Sequence, residues 1–514
     1  MTAPAKPKKE KPPTPLVEDV ILSQLVTLGR DERENLRYYS SPGFGEFVSS
    51  SEEAQFEADA GTKRFVPPAR MVPKVNLPPA PAKCADTAAL FEAVKQFFLK
   101  RLDFEESAAR ACAAYVFYTW TGNNLSVTPV LFVLGDYGAG KSRLLQIMWR
   151  LSCRGFRCSL NTSFAAARNV ISRWKTTLVL DEGTIKGKVS EKSEEWIRAI
   201  CDSTSDPSGV ILIASKDEAG ETHAFFMGGP KIISSTREWP DQGFARRCVM
   251  ITMLTTARNF RRLNMTDDRE ADALAAQLHG LRHRVLGHRT SDPASVEDEV
   301  NDDLYERGLR AGSKQFSTPL AAVLKVFAPA EYEALVNDAI ARAADAVETA
   351  AESLEGRVIG SVYSKARDTV GERPEISPSD IASELSHDDD EVRPFIVGKI
   401  LKRMGFILHH TNAGNLWAFP PSKNDGTDPF EALCRKYVPS FEPAKSGRSP
   451  FHRWKESPSE KSPMPADQKV EGVKGVEGSP ILRVGAREEP GEALSLDMQA
   501  KPEGAPPERR GGGS

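Results

Sequence analysis

Eight residues, Gly135-Asp-Tyr-Gly-Ala-Gly-Lys-Ser142, have the types and spacing of a phosphate-binding loop. They fit the pattern G-x-x-x-x-G-K-[ST], in which glycines let the backbone turn tightly and point N–H groups at phosphate oxygens. Lys141 would bring a cation to the β- and γ-phosphates, and Ser142 would supply a hydroxyl ligand for Mg²⁺. The apolar run "VLFVLG" before the loop and the amphipathic "RLLQIMWRL" after it predict the strand–loop–helix setting that the motif needs. The residues predicted to bind ATP are Gly135, Asp136, Tyr137, Gly138, Ala139, Gly140, Lys141 and Ser142.

Two acidic residues end the apolar run "TTLVLDE", residues 176–182. The C-terminal end of a strand is where ligands bind in open α/β sheets. Asp181 would hold Mg²⁺, directly or through water, and Glu182 would polarise an attacking water. Such a pair is typical of ATPases that hydrolyse rather than kinases that transfer phosphate. The alternative is an ordinary strand that ends in solvated carboxylates.

Two later segments contain residues that could complete a hydrolytic site. In "KIISSTRE", a polar residue at the strand tip could sense the γ-phosphate, with Thr236 the first candidate and Ser235 the second. In "GFARRCVMITM", Arg246 and Arg247 precede a strand, where an arginine could reach a neighbouring subunit's γ-phosphate as an arginine finger. The alternatives are a turn cap for the first segment and a solvated surface pair for the second.

The elements that must position these residues alternate between strand and helix from Val130 to about Thr255. Near-continuous apolar strands separated by helices indicate a parallel sheet that is covered on both faces. One segment, "GVILIASKDEAGETHAFFMGG", breaks this rhythm and reads as a hairpin inserted before "KIISST". We therefore expect an α/β fold of the P-loop NTPase type, AAA+-like, with an inserted hairpin.

The rest of the chain divides by composition and periodicity. A short helix over "LVEDVILSQLVTLG" is the one element expected in a first region of otherwise disordered or linker sequence. The expected regions are a disordered or linker segment over 1–85, a helical lead-in over 86–129, the ATPase core over 130–255, an α-helical lid over 256–370, a winged-helix-like domain over 371–420 and a disordered tail over 421–514.

Composition excludes some classes of protein and leaves others open. Hydrophobic residues are 40% and charged residues 27% of the 514-residue chain, and the formal net charge is −3, so any nucleic-acid-binding surface must be local. The seven cysteines include no CxxC pair, which favours reduced thiols. Without a signal peptide or a long apolar stretch, we expect a cytoplasmic protein that makes no membrane contact.

The segment from residue 376 to 419 has the helix–helix–hairpin layout of a winged helix. Ser377 can cap the first helix, from which Ile381 and Leu385 would face inward. The apolar stripe expected on the second helix is Val392, Phe395, Ile396, Ile400, Leu401 and Met404. Its polar face would enter a DNA major groove and meet phosphates through Arg393, Lys399, Lys402 and Arg403. The acidic run "SHDDDEV" between the helices weakens this interpretation, and a protein–protein module is the alternative.

Taken together, "VTPVLFVLGDYGAGKSRLL", "TTLVLDE", "GGPKIISSTRE" and "ARRCVMITM" resemble AAA+-type, helicase-related ATPases of phages, plasmids and integrative elements. The resemblance spans about residues 87–420. It implies a homo-oligomeric ring, with a hexamer suspected, and a role for Arg247 or Arg246 as the finger. It also implies that the hairpin projects into a central pore and contacts DNA through Lys216 and His223. The alternative is a β-extension that packs on a neighbour. The sensor residue of such proteins is usually Asn, from which Thr236 departs.

Three functions compete at this point. The first is an ATP-driven helicase or translocase that acts on DNA, and the second is a nucleotide-switched DNA-binding or loading ATPase that does not unwind. The third, a small-molecule kinase, is disfavoured by the Asp181–Glu182 pair and the long helical region.

Overall fold

The structure is a computed structural model of the chain, whose residues fall into two units, Met1–Lys455 and Glu456–Ser514. Every residue that the structure describes lies in the first unit. The described residues are 14–15, 17–21, 24–43, 46–50, 54–58, 61–68, 74–181, 191–204, 209–214, 221–236, 244, 247–255, 258, 260–368, 375–386, 392–411, 414–420 and 428–441. The predicted disorder of the first residues and of the chain end beyond 441 lies outside them.

The strands and helices are numbered here in chain order. The strands are β1 (Thr14–Pro15), β2 (Glu18–Ile21), β3 (Gln24–Arg30), β4 (Leu36–Gly43), β5 (Glu46–Ser50), β6 (Ala54–Ala58), β7 (Gly61–Val66), β8 (Val75–Asn76), β9 (Val130–Gly135), β10 (Gly155–Cys158), β11 (Thr177–Asp181), β12 (Val210–Ala214), β13 (Thr222–Phe226), β14 (Lys231–Ser235), β15 (Cys248–Met253), β16 (Ile407–Thr411) and β17 (Gly414–Ala418). The helices are α1 (Thr87–Leu99), α2 (Glu106–Thr121), α3 (Lys141–Leu151), α4 (Phe164–Trp174), α5 (Glu191–Asp202), α6 (Met265–Arg282), α7 (Glu297–Glu306), α8 (Ala311–Phe327), α9 (Pro329–Glu352), α10 (Leu354–Asp368), α11 (Pro378–Leu385), α12 (Pro394–Arg403) and α13 (Pro429–Tyr437).

A six-stranded sheet with the order β15-β9-β14-β11-β10-β8 forms the centre of the fold. Five of its strands run parallel, and only the edge strand β8 is antiparallel, to β10. The apolar runs read from the sequence are these parallel strands, so the expected α/β fold with a mostly parallel sheet is confirmed.

Alternate side chains of each central strand enter opposite faces of this sheet, as the period of a strand requires. Leu131 and Val133 join the cluster formed with α2, α3 and α6, whereas Val130 and Phe132 join the cluster formed with α4 and α5. Burial of both faces explains why these strands are apolar throughout.

The inserted hairpin expected from the sequence consists of β12 and β13, which pair antiparallel with each other and form a separate two-stranded sheet. Its base rests on α4, where Phe226 N donates to Ser172 Oγ at 3.0 Å and the Arg168 guanidinium lies 3.9 Å from the Phe225 ring centroid. The hairpin is therefore anchored at one end, and its turn lies outside the described residues.

The short helix expected over "LVEDVILSQLVTLG" is wrong. Most of that segment forms β2 and β3 of a four-stranded antiparallel sheet. Both faces of β3 are buried, because Val26 and Leu28 pack with Trp174 while Thr27 bonds to a helix on the other side. Non-local packing on two faces overrides the weak helical periodicity.

A buried polar cluster ties these N-terminal strands to the rest of the fold. The Arg282 guanidinium donates to Glu18 Oε2 at 2.6 Å, and Arg154 donates to the same carboxylate at 3.1 Å. Burial alone would raise the pKa of Glu18, but the two guanidinium charges hold it well below its usual value. Thr27 Oγ1 lies 2.7 Å from His279 Nε2 in α6, and burial lowers the pKa of that imidazole to about 4. The described part of residues 17–50 is thus integral structure and not a linker.

The C-terminal elements α10 to α13 and the hairpin β16–β17 share one apolar cluster. A single bridge between Ile376 and Trp417 joins the start of this region to the hairpin. Within α12 the expected stripe is partly wrong: Phe395 is 72% exposed and Ile396 39% exposed, while Val397 is buried. Burial also extends further along the chain than expected, because α13 packs its Phe430 and Cys434 into the cluster, inside the region predicted to be a disordered tail.

Two absences hold for the parts of the chain that the structure covers. No helix there combines the length and the apolar character that a membrane span needs. The seven cysteines are all free thiols in the structure.

Candidate nucleotide site

The phosphate loop connects the C-terminal end of β9 to the first turn of α3. Ala139 N donates to Asp136 O at 3.2 Å, which closes a turn, and Arg143 N and Leu144 N both donate to Gly140 O at 3.0 Å, which starts the helix. The N-terminus of α3 therefore opens directly from the loop, the arrangement that places free N–H groups at an anion.

The glycines of the motif have specific structural reasons. Gly138 and Gly140 have φ values of 84° and 91°, a region that other residues rarely adopt. At Gly135 a Cβ atom would lie 2.6 Å from Met253 O on the neighbouring strand, so any side chain there would push β9 and β15 apart. The loop conformation thus depends on the glycines that identified the motif.

The side chains of the loop divide between exposed and buried. Tyr137 is 77% exposed at the tip, whereas Ala139 is 3% exposed and packs against the core. Lys141 Nζ donates to Gly135 O at 2.6 Å and to Asp136 O at 2.8 Å, so the ammonium group lies in the mouth of the loop. Ser142 is exposed beside it. A phosphate oxygen that binds here would accept hydrogen bonds from the Lys141 ammonium group in place of the two loop carbonyls.

Asp181 ends β11 on the same edge of the sheet. Strand β14 lies between β9 and β11, and its Ser234 is in register with both Asp181 and Val133. With strands spaced by about 4.8 Å, Asp181 is roughly 10 Å from β9 across the sheet. This separation suits a carboxylate that holds a metal ion against a phosphate bound in the loop.

Two neighbours orient the Asp181 carboxylate. Arg157 on β10 donates from Nη2 to Asp181 Oδ2 at 2.7 Å, and Ser234 Oγ lies 3.4 Å from Oδ1. Sequence reasoning missed Arg157, because its only signal is a single basic residue within the short strand "FRCSLN". The guanidinium would compete with a cation for the same oxygen, which makes Arg157 part of the site.

Thr236 follows β14 directly, at the same edge and between the loop and Asp181. It is half-buried, and the second candidate, Ser235, is buried at 2% exposure within the strand. A sensor at this edge therefore fits Thr236 better than Ser235. Glu182, the next residue after Asp181, lies outside the described residues.

Arg247 lies at the opposite end of the sheet. Its carbonyl accepts a 3.1 Å bond from Val130 N at the beginning of β9, and β15 starts at the next residue. From Val130 to the loop at Gly135 the strand rises by roughly 17 Å, at about 3.3 Å per residue. Arg247 is thus distant from the loop of its own chain, and Arg246 lies outside the part of the chain that the structure covers.

The predicted DNA-contacting residues occupy two other places. His223 is exposed on β13 of the hairpin, paired with Ile213, while Lys216 falls in the turn that is not among the described residues. Arg393, Lys399 and Lys402 are exposed at or on α12, and Arg403 donates to Glu355 of α10.

The donor set fits ATP with Mg²⁺. Mg²⁺ prefers hard oxygen ligands and keeps several waters, so a hydroxyl, a carboxylate and phosphate oxygens suffice. Ser142 and Asp181 provide the first two. Throughout the described ranges, no group of three or more His, Cys, Asp and Glu side chains could hold a metal ion by itself.

Comparisons with known proteins find likenesses at the level of solved structures only. No protein-family model matches the chain, and no curated protein matches its sequence. The apo C-terminal region of NrS-1 is 11% identical with a TM-score of 0.31, over 77% of this chain and 96% of that one. The SCCmec type IV Cch structure, which is described as an active helicase, is 10% identical with a TM-score of 0.35, over 80% and 95%.

An MCM homolog from Methanopyrus kandleri is also similar, at 12% identity and a TM-score of 0.31 over 63% of this chain and 75% of that one. At such identities and TM-scores the likenesses do not bear on function.

Proposed function

We propose that this protein is an ATP-hydrolysing, AAA+-like motor that acts on DNA as a helicase or translocase of a phage or other mobile element. One observation carries the proposal: the phosphate loop, Thr236 and Asp181 lie side by side at the C-terminal ends of β9, β14 and β11. This is the edge of an open α/β sheet where ligands bind.

Each residue has a role that follows from its chemistry. The loop N–H groups and Lys141 bind the β- and γ-phosphates, and Ser142 and Asp181 hold Mg²⁺. Bound Mg²⁺ would neutralise phosphate charge and orient the nucleotide. Glu182 takes a proton from the attacking water, whose oxygen bonds to the γ-phosphorus as the bond to the bridging oxygen of ADP breaks. Thr236 donates its hydroxyl to the γ-phosphate.

The position of Arg247 supports assembly. Because it lies at the end of the sheet away from its own loop, it can act as an arginine finger only on another copy of the chain. Arg246 is the alternative finger. We infer a homo-oligomeric ring, a hexamer by resemblance, in which each ATP is hydrolysed between two subunits.

The energy of hydrolysis would reach DNA through two elements. The β12–β13 hairpin with Lys216 and His223 is anchored on α4 and would contact a strand in the pore. We infer that α11, α12 and β16–β17 act as a winged-helix-like domain that binds DNA through Arg393, Lys399 and Lys402; their helix–helix–hairpin order supports this. In this interpretation helices α6 to α9 act as the lid. Helix α10 also falls within the 256–370 region expected to form the lid, but it packs with the C-terminal elements. Arg403 has a partner in Glu355, so it would contribute less to DNA binding.

An assay of hydrolysis and unwinding tests the proposal. Phosphate release should rise when single-stranded DNA is added, and a tailed duplex should be separated only with ATP and Mg²⁺. ATP-dependent assembly without strand separation or translocation would support the nucleotide-switched loading ATPase instead. Phosphate transfer to an added metabolite, with none released to water, would revive the kinase interpretation.

Arg157→Ala should lower the Mg²⁺ concentration that gives half-maximal hydrolysis, because the guanidinium competes with the metal for Asp181 Oδ2. The pair is about one-third exposed, so we expect a shift of roughly two- to fivefold, the scale of an exposed ion pair. A magnesium titration of phosphate release measures it. Arg173→Ala, at the exposed end of α4, is the control, and a higher magnesium requirement in Arg157→Ala would contradict the competition.

A further inference from the structure

The outward surface of α12 carries an exposed aromatic ring among cations. Phe395 is 72% exposed, and Lys399 and Lys402 are exposed on the same helix. Phe395, Lys399 and Lys402 are called the Phe395 face below. The helix sequence "PFIVGKILKR" contains basic residues and no acidic one.

Helical spacing explains why this face is separate from the core. Positions i, i+4 and i+7 lie on one side of a helix, which places Phe395, Lys399 and Lys402 together. Val397, Ile400 and Leu401 occupy the opposite side and are buried at 0%, 5% and 0% exposure. The phenyl ring of Phe395 therefore contributes nothing to the core that holds α12 in place.

The cations of the face are arranged around the ring. Lys399 Nζ lies 4.4 Å from the centroid of the Phe395 ring. Arg393 is exposed at the start of the helix. Arg403 on the flank is held by Glu355, which leaves Lys399 and Lys402 as the charges beside the phenyl group.

We propose that the Phe395 face binds single-stranded DNA, with an unpaired base stacked on the Phe395 ring and the adjoining phosphates held by Lys399 and Lys402. This inference rests on the proposed function and adds that the C-terminal domain binds DNA as a single strand. Aromatic rings flanked by cations are how proteins hold single strands without sequence preference, because every base presents a π-face.

A duplex fits this face less well. In the major groove α12 would meet the polar edges of base pairs, and a phenyl ring there can use only a thymine methyl group. Stacking on an unpaired base is worth about 1–3 kcal/mol per base, which corresponds to a loss of roughly fivefold or more when the ring is removed.

Fluorescence anisotropy of the full chain with three probes of equal length tests the proposal. The probes are oligothymidylate, a strand of abasic sites with the same phosphates, and a duplex. Phe395→Ala should weaken oligothymidylate binding at least about fivefold and leave the abasic strand unchanged, since only stacking is lost. Phe395→Tyr keeps the ring and should bind normally. Lys402→Ala should weaken both single strands.

Tyr305→Ala is the matched control. Tyr305 is 52% exposed and has the Arg310 guanidinium 3.9 Å from its ring centroid, but it lies on α7, whose sequence "EDEVNDDLYE" is acidic. We expect no change in DNA affinity for this variant. Thermal melting should match between Phe395→Ala and the wild type, because the ring is exposed.

Two outcomes would overturn the inference. An equal loss on duplex and oligothymidylate would assign Phe395 to a groove contact, and no loss on any probe would exclude Phe395 from DNA binding. Basal ATP hydrolysis separates this inference from the proposed function. A wild type without hydrolysis defeats the proposed function, whereas DNA-stimulated hydrolysis with normal binding by Phe395→Ala defeats only the stacking.

Discussion

Lys141→Ala should abolish ATP hydrolysis, with turnover falling by at least about a hundredfold, the scale expected when a positioned charge partner of the transition state is removed. Lys141 Nζ lies in the mouth of the loop, 2.6 Å from Gly135 O and 2.8 Å from Asp136 O. No other described loop residue carries a positive charge there, since the motif is Gly-Asp-Tyr-Gly-Ala-Gly-Lys-Ser.

The measurement is phosphate release with saturating ATP and Mg²⁺, together with thermal melting to show that the variant folds. Because Lys141 is only half-buried, its truncation to alanine should lower the free energy of unfolding only slightly. Lys100→Ala, an exposed lysine at the end of α1, serves as the control. Near-normal turnover in Lys141→Ala would mean that the loop does not serve hydrolysis.

Glu182→Gln should leave ATP binding intact and slow hydrolysis by roughly 10²–10⁴-fold, the contribution of a general base. The amide keeps the shape of the side chain but cannot accept the proton of the attacking water. Asp181, the proposed metal ligand, keeps its carboxylate in this variant, oriented by Arg157 at 2.7 Å. The prediction therefore separates proton transfer from metal binding at two adjacent residues.

Binding of a fluorescent ATP analogue and single-turnover phosphate release measure the two effects independently. Glu195→Gln, an exposed glutamate on α5, is the matched control. Loss of nucleotide affinity in Glu182→Gln would assign Glu182 to binding rather than to water activation. Unchanged hydrolysis would remove it from the site altogether.

The edge of the sheet that carries the candidate site was predictable because its signals are local. Glycines with positive φ at 138 and 140, apolar runs for buried parallel strands and the helix after Lys141 each depend on a few consecutive residues. Parallel strands then bring their C-terminal ends to one edge of the sheet. The positions of Asp181 and Thr236 at the same edge as the loop therefore follow from strand direction alone. The inserted hairpin was equally visible as two short runs around a polar turn.

The N-terminal strands were not predictable, because their partners are distant in sequence. Thr27 bonds to His279, and Glu18 pairs with Arg282 and Arg154, across separations that no local pattern records. The expected helix over this segment used apolar spacing that fits either element. Burial on both sides of β3 favours the strand over the helix.

The sequence pattern over α12 predicted a helix and its basic residues. It did not predict which side of that helix faces the core. Phe395 and Ile396 fit an apolar stripe, yet Val397 fills the core position. Contact with α11 and the shared cluster with Trp417 set the rotation of α12, and these contacts come from other parts of the chain.

By itself, then, the sequence determined the candidate phosphate loop, the acidic strand end and the α/β alternation. Each of these features depends on the types of a few neighbouring residues. Only the tertiary structure decided that Arg157 holds Asp181, that Arg247 lies at the far end of the sheet and that Phe395 is exposed. Those three facts depend on strand order, strand direction and helix rotation, which arise when distant segments pack together.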